Sequence, residues 1–149
     1  MSRIRRVLHA TDFSKASGRA FAQAVEMAQQ YKAELVLLHV LTPLTTYMVG
    51  ENYMDPTLYA RLEESARREA ESELSALGKK AQRAKLKVKS LLARGMAHEE
   101  IVRAAKGRKA GLIVIGTHGR TGLSKLLMGS VAARVISAAT CPVLTVRGT

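Results

Sequence analysis

The segment from residue 116 to residue 130, GTHGRTGLSKLLMGS, carries four glycines and several hydroxyl side chains directly after a very apolar run. Glycine has no Cβ, so backbone N–H groups beside it can approach a bulky anion closely. Ser130 opens a predicted helix, and a helix N-terminus offers unpaired N–H donors together with partial positive charge. The amides of Ser130, Val131 and Ala132, with the Ser130 hydroxyl, therefore suit a phosphate group.

The same segment has a purely structural explanation. Gly116 and Gly119 can form a tight exit from a strand, Gly122 and Gly129 can be turn residues, and Ser130 can be an ordinary N-cap. Short glycine patterns recur by chance, so the spacing alone leaves both explanations open.

Hydrophobic patterning predicts five strands that alternate with four helices along the chain. The predicted strands cover residues 4–10, 34–41, 86–93, 110–116 and 142–147, and the predicted helices cover 14–31, 56–84, 97–106 and 130–139. Parallel strands joined by right-handed helical crossovers bury such a pattern. We therefore predict one domain over residues 1–149, a three-layer α/β sandwich that is Rossmann-like, with a longer irregular loop over 42–56.

The predicted strand order 3-2-1-4-5 would place two loops on opposite sides of one cleft. Ligands of open parallel sheets bind beyond the carboxyl ends of the strands, where the strand order reverses. With this order, Asp12 in the ATDFS segment after the first strand faces the glycine-rich segment after the fourth. Asp12 has an alternative role as an Asx-turn or cap for the first helix.

Composition limits the class of protein. The chain has 149 residues and 47% hydrophobic content, enough for one core. Its apolar runs are too short to cross a bilayer, and its first residues lack the apolar region of a secretion signal. The single cysteine, Cys141, excludes an internal disulfide. We expect a cytoplasmic protein without membrane contact.

The formal net charge of +12 favours an anionic partner or simply keeps the protein soluble. Residues 79–109 contain eleven Lys or Arg against Glu99 and Glu100. This tract predicts contact with a polyanion such as nucleic acid. The alternative is a solvated helix and edge strand, since aromatic content is only 4% and base stacking would be nearly absent.

The glycine spacing and several other segments resemble one known family. Gly116, Gly119, Gly129 and Ser130 form a GxxG, nine residues, GS pattern. VLHATDFSKASGRA, ELVLLHV and ATCPVLTVR extend the likeness over nearly the whole chain except roughly residues 42 to 85. The chain thus resembles the nucleotide-binding members of the universal stress protein family, whose fold is adenine nucleotide alpha hydrolase-like.

The resemblance implies that ATP or a related adenine nucleotide such as AMP lies in the cleft, as the ligand of a regulatory stress-response module. By similarity, Asp12 contacts the nucleoside end, Ala10 and Val40 meet the adenine, and the first glycines follow the ribose and the first phosphates. Gly129, Ser130 and Val131 would hold the phosphate tail, while Ala132 replaces a hydroxyl residue of some binders. The predicted binding residues are Ala10, Asp12, Val40, Gly116, Thr117, His118, Gly119, Arg120, Gly129, Ser130 and Val131.

Mg²⁺ or Mn²⁺ is expected with the triphosphate, because backbone dipoles alone neutralise several phosphate charges poorly. The resemblance also implies a homodimer that pairs the last strand, 142–147, edge to edge across a two-fold axis. We expect His9 and His39 to be core residues satisfied by hydrogen bonds. No nucleophile elbow, GxxxxGK loop or paired carboxylates occur, so at most slow ATP hydrolysis is expected.

Overall fold

A computed structural model describes residues 3–43, 55–118 and 128–148 of the chain. These residues form five strands and four helices in strict alternation. In chain order they are β1 (Arg6–Ala10), α1 (Lys15–Tyr31), β2 (Glu34–Leu41), α2 (Pro56–Arg83), β3 (Val88–Arg94), α3 (Ala97–Gly107), β4 (Leu112–Gly116), α4 (Ser130–Ala138) and β5 (Val143–Val146).

The strands form one parallel sheet in the order β3-β2-β1-β4-β5. The strand order reverses between β1 and β4, because β2 and β3 extend the sheet to one side of β1 and β5 extends it past β4. Val7 of β1 pairs with Leu35 of β2 on one side and with Leu112 of β4 on the other. The predicted α/β class and strand order 3-2-1-4-5 are confirmed.

Two apolar layers cover the two faces of the sheet. Side chains alternate across a strand, so Val7 faces the layer of α1 and α2 whereas Leu8 faces that of α3 and α4. Both are fully buried. Burying such a side chain stabilises the fold by about 1.5–3 kcal/mol, which anchors β1 as the centre of the sheet.

The helix starts follow the capping signals in the sequence. Ser14 precedes α1, and its side chain accepts a hydrogen bond from the Ser17 N–H at 3.1 Å. Asp55 precedes α2, where its Oδ1 accepts from the Thr57 N–H at 2.7 Å and Pro56 occupies the first helical position. The predicted N-termini of both helices are therefore confirmed.

The end of α3 agrees with the prediction. A helix over 97–106 ending at Gly107 was expected, and Gly107 is the last residue of α3. The residue with positive φ is Lys109, at 55°, two positions further on. The helix thus ends with a lysine in the left-handed conformation that glycine usually takes. Of the predicted 42–56 loop, residues 44–54 lie outside the described residues.

Candidate functional site

A cavity of about 350 Å³ opens at the carboxyl ends of β1 and β4, where the strand order reverses. Its volume falls within the range of small-molecule sites, about 300–1,000 Å³. Nine of the predicted binding residues line it: Ala10, Asp12, Val40, Gly116, Thr117, His118, Gly129, Ser130 and Val131. The other two, Gly119 and Arg120, lie outside the described residues. The fold therefore brings together residues more than one hundred positions apart.

The β1–α1 loop forms one wall of the cavity through short-range hydrogen bonds. Thr11 is buried, and its N–H donates to the Leu38 carbonyl at 2.9 Å. Its hydroxyl lies 3.1 Å from the Ser17 hydroxyl and accepts from the Phe13 N–H at 3.0 Å. Phe13 has a φ of 63°, an uncommon conformation for a bulky residue. The loop is thus fixed by contacts to β2 and to the first turn of α1.

Asp12 forms the predicted Asx-turn and also lies on the cavity wall. Its Oδ1 accepts a hydrogen bond from the Ser14 N–H at 2.9 Å, which is an Asx-turn leading into α1. The residue also lines the cavity and is only partly buried. The turn therefore orients the carboxylate at the cavity wall.

The opposite wall is the start of α4, held against the end of β4. The Gly129 N–H donates to the Thr117 carbonyl at 2.7 Å, so this amide already has a partner. A Cβ on Gly129 would lie 3.0 Å from the same carbonyl oxygen, a contact so tight that the neighbouring backbone would have to shift by a few tenths of an ångström. Glycine at position 129 therefore favours close approach of the two segments, and its φ of −62° is ordinary.

The next three amides of α4 are the donors that the sequence predicted for an anion. Gly129 has no side chain to cap the helix. Within the described residues, no acceptor bonds the N–H groups of Ser130, Val131 or Ala132. All three residues line the cavity. The Gly129 amide is already bonded to Thr117, so the donors left at this helix N-terminus are those of Ser130, Val131 and Ala132.

His39 is a cavity residue that the sequence reasoning assigned to the core. Its Nδ1 lies 2.7 Å from the Thr11 carbonyl oxygen, and its ring stacks on Phe13 with centroids 4.4 Å apart. The predicted hydrogen bond exists, but the residue is half-buried and lines the cavity. The position of His39 near the carboxyl end of β2, beside the point where the strand order reverses, could have indicated that it lines the cavity. Reasoning from sequence also missed the small and apolar lining residues Ala97, Ile101 and Ile115.

His9 is a core residue, as expected, but its ring is only half satisfied. It is fully buried, and its Nδ1 donates to the Val114 carbonyl at 2.9 Å, since a carbonyl only accepts. Nε2 has no hydrogen-bond partner among the described residues. Burial lowers the pKa of His9 to about 4, against smaller opposing effects of the Val114 bond and the Asp12 charge. The ring is therefore neutral at physiological pH.

Acidic side chains are scarce among the described residues that line the cavity. Asp12 is the one carboxylate among the described residues that line the cavity. Within the described ranges, no group of three or more His, Cys, Asp and Glu side chains is placed to bind a metal ion. None of the described helices has the length and apolar character needed to cross a bilayer.

The fold and the cavity define a doubly wound parallel α/β protein with a ligand cleft at the strand-order reversal. The model of the universal stress protein family matches residues 3–147. A universal stress protein of Thermus aquaticus is 37% identical over 141 residues, covering 95% of this chain and 97% of that protein. Another, MJ0531 of Methanocaldococcus jannaschii, is 34% identical over 143 residues, which cover 96% of this chain and 82% of that protein. The chain belongs to the universal stress protein family.

Solved structures agree with this membership. The structure of the hypothetical protein MJ0577 matches with a TM-score of 0.80 and 29% identity, covering 97% of this chain and 96% of that one. A universal stress protein in complex with cAMP matches at 0.70 and 24%, covering 99% and 100%. One from Archaeoglobus fulgidus in complex with dAMP matches at 0.70 and 23%, covering 98% and 100%. At these identities, the last two show the shared fold.

Proposed function

We propose that this chain binds an adenine nucleotide, with ATP as its ligand, in the cavity between β1 and β4. The observation that carries the proposal is the start of α4, where three consecutive amides without described acceptors face a cavity of about 350 Å³. A phosphate group is the ligand that such a helix N-terminus favours. Two solved relatives that share the fold were determined with cAMP and with dAMP, which supports an adenine ligand.

The two walls of the cavity suit the two ends of a nucleotide. Ala10 and Val40 lie on the side of β1 and β2, together with the apolar side chains of Ile101 and Ile115, and form the proposed adenine pocket. Asp12 accepts from the ribose hydroxyls. This arrangement leaves the triphosphate directed along β4 toward α4.

The phosphate end uses the residues after β4. Gly116, Thr117 and His118 follow the ribose and the first phosphates, and Gly119 and Arg120 extend this proposal beyond the described residues. The amides of Ser130 and Val131 hold the tail. Gly129 supports them by bringing its backbone against the Thr117 carbonyl. Its contribution to binding is therefore geometric, through close packing.

A divalent cation fits this site only with the nucleotide. Asp12 is the one carboxylate among the described cavity residues, and it already accepts from the Ser14 N–H. Mg²⁺ keeps several waters and is usually bound through substrate phosphates and one or two carboxylates. We propose that Mg²⁺ or Mn²⁺ is held mainly by phosphate oxygens. The cation would neutralise the part of the phosphate charge that the backbone dipoles do not compensate.

The proposed role is regulatory binding during stress in the cytoplasm. A dedicated ATPase needs a base that positions water, and the described cavity offers a single carboxylate engaged in an Asx-turn. A chain with one cysteine is compatible with a reducing compartment. We therefore propose that the site acts by binding the nucleotide, and that ATP hydrolysis there is at most slow.

Ser130→Pro tests the phosphate cradle. Proline is tolerated at the first position of a helix, and Gly129, with a ψ of 153°, already has the extended conformation that precedes proline. The substitution removes one amide donor and the hydroxyl while α4 persists. A hydrogen bond to a charged group contributes about 1.5–3 kcal/mol, so ATP affinity measured by isothermal titration calorimetry should fall roughly 10- to 100-fold.

Ser130→Ala is the matched control because it removes the hydroxyl and keeps the amide. The Pro variant should bind ATP more weakly than the Ala variant, and the two should bind adenosine, which has no phosphate, equally. Parent protein that binds no adenine nucleotide would overturn the proposed function. Equal ATP affinity of the two variants would overturn the cradle assignment alone.

We also propose a homodimer through β5, the strand within predicted residues 142–147. The Pro142 and Val146 carbonyls accept from Ile113 and Thr117, so the even-numbered residues of β5 face β4. Backbone groups alternate along a strand, which directs those of Val143 and Thr145 to the outer edge. An edge with this pattern is open to a second copy of the strand.

Thr145→Pro removes an outward N–H without touching a bond to β4. Sedimentation equilibrium should give a dimer for the parent and for Thr145→Val, and a monomer for the proline variant. A proline variant that remains dimeric would refute pairing through this edge.

A further inference from the structure

The amino ends of the strands collect cations from several separate parts of the chain. We call this surface the basic pole and define it by nine exposed residues: Arg3, Arg5, Lys32, Arg83, Lys85, Lys87, Lys106, Arg108 and Lys109. They lie before β1 or at the turns between a helix and the next strand. Parallel topology places all these turns at the end of the sheet opposite the cavity. No described carboxylate forms an ion pair with any of the nine.

Carboxylates are concentrated toward the other end of the molecule. Asp12 and Glu99 follow strands at the carboxyl end of the sheet. The last acidic residue of α2, Glu73, is ten residues from the end of that helix, or about 15 Å along its axis. Glu34 is the described carboxylate that lies at the amino end of a strand, and it pairs with Arg6 at 3.3 Å. Glu26, in the second half of α1, is a further carboxylate toward the amino end, and the other described carboxylates lie nearer the cavity end or midway along α2.

Three of the lysines share an unusual backbone conformation. Lys32, Lys85 and Lys109 have φ values of 53°, 65° and 55°. In each case the following N–H bonds back to a carbonyl five residues earlier, the pattern of a Schellman motif. These bonds are Ala33 to Ala28 at 2.8 Å, Leu86 to Ala81 at 3.3 Å and Ala110 to Ala105 at 2.9 Å. Helices α1, α2 and α3 therefore end in the same way.

Glycine is the usual residue at this position, but all three helices have lysine there. The energetic cost of the left-handed lysines has to be offset by some other contribution. A left-handed conformation costs a non-glycine residue roughly 1–2 kcal/mol. A cation near a helix C-terminus gains typically only about 0.3–1 kcal/mol from the helix dipole. Stability alone therefore does not favour lysine here. The three positions place charge at the tightest points of the turns, side by side at one end of the sheet.

We propose that the basic pole binds the phosphate backbone of double-stranded nucleic acid without reading its sequence. The strands β3, β2, β1 and β4 start next to one another, so their turns span about 14 Å at a strand spacing of about 4.8 Å. A duplex presents one charge per about 1.7 Å of its axis, a density that a multivalent cationic surface matches.

Other anionic partners fit this surface less well. A protein partner normally buries an apolar centre, and stable membrane docking needs inserted apolar side chains. Tyr31, 37% exposed at the end of α1, is the large apolar side chain that the described part of the pole exposes. Single-stranded nucleic acid favours several aromatic stacking platforms. The contacts that this surface can make are therefore those to phosphate groups, which duplex DNA or RNA presents in a rigid array.

The basic pole differs in its residues from the basic tract predicted over 79–109. Arg94 lies at the carboxyl end of β3, where it pairs with Glu63 at 2.9 Å, and Arg103 pairs with Glu100 at 2.6 Å. Both lie outside the basic pole. Conversely, Arg3, Arg5 and Lys32 belong to the pole although they precede the tract by more than forty residues.

The test uses glycine to remove charge without disturbing the turns. Lys32→Gly, Lys85→Gly and Lys109→Gly, combined in one variant, keep the left-handed conformation and should leave thermal stability equal or higher. Fluorescence anisotropy with a short labelled DNA duplex should show binding by the parent that weakens steeply with salt. The slope of log affinity against log salt should decrease by up to about 2.7 in the variant, at about 0.9 per phosphate contact.

The matched control removes the same net charge elsewhere. Arg19, Arg61 and Arg134 are exposed on the early turns of α1, α2 and α4, and their combined change to Gln should leave the slope unchanged. Equal losses in both variants would show that net charge alone attracts the duplex and would overturn the pole. Absence of parent binding at low salt would also overturn it. So would equally tight binding of polyglutamate or of anionic phospholipid vesicles.

Discussion

The two ends of the sheet offer different groups to the anions that we propose they bind. At the carboxyl end, the donors are main-chain amides at the start of α4 inside a cavity. At the amino end, the basic pole uses long exposed side chains at the ends of three helices. The polarity of parallel strands and antiparallel helices creates this division, because helix N-termini gather at one end and C-termini at the other. Salt should therefore weaken binding at the pole much more than binding in the cavity.

The largest expected effect is the dependence of folding stability on pH that results from the burial of His9. Its pKa falls from 6.5 to about 4 on folding because of burial. Between these values the unfolded chain binds more protons than the folded one, so stability is complete above 6.5 and is lost as the pH falls toward 4. The shift corresponds to about 3 kcal/mol of unfolding free energy.

His9→Gln isolates this contribution from the carboxylates that also titrate in acid. Urea unfolding of both proteins across the pH range should give a difference between parent and variant that shrinks steadily below pH 6.5. A constant difference would mean that the buried ring does not control acid stability.

The next effect compares two glycines at the cavity end. A Cβ on Gly129 meets the Thr117 carbonyl oxygen at 3.0 Å, whereas a Cβ on Gly116 meets its nearest atom at 3.4 Å, an ordinary contact. Gly129→Ala should therefore destabilise the protein by about 1–3 kcal/mol, the range for overpacking. Gly116→Ala should change stability much less in the same denaturant titration. Equal effects would contradict the close packing of α4 on β4.

The smallest effect concerns the turns of the basic pole. Lys85 has a φ of 65°, so Lys85→Ala keeps the backbone strain and loses the charge, whereas Lys85→Gly loses both. The glycine variant should be about 1 kcal/mol more stable than the alanine variant. Thermal unfolding monitored by circular dichroism measures this difference. An alanine variant at least as stable would show that the left-handed conformation carries no cost there.

The predictability of the fold depended on how strongly each segment was specified. β2 has the predicted bounds, Glu34–Leu41, because it is a continuous apolar run buried by both helical layers. β3 was predicted over 86–93 but spans Val88–Arg94, since an edge strand with lysines gives a weaker apolar signal. The end of α3 at Gly107 was predicted, because glycine is the conventional stop signal, whereas the left-handed conformation of Lys109 had no such signal.

The candidate site was only partly predictable. The glycine and serine spacing identified Gly129 and Ser130, because these residues are adjacent to each other and open a helix. His39 was assigned to the core, since periodicity does not reveal where a buried strand reaches the end of the sheet. The use of the Gly129 amide by Thr117 depends on how α4 packs against β4, which no local pattern encodes.

The sequence by itself determined the alternation of strands and helices and the helix caps, because apolar periodicity and capping act over short distances. The tertiary structure decided which amides face the cavity and which cations share one surface. Arg3, Lys32, Lys85 and Lys109 are far apart in sequence and meet only because parallel strands start at the same end of the sheet. Proximity created by topology has no local signature, so it is settled only when the chain folds.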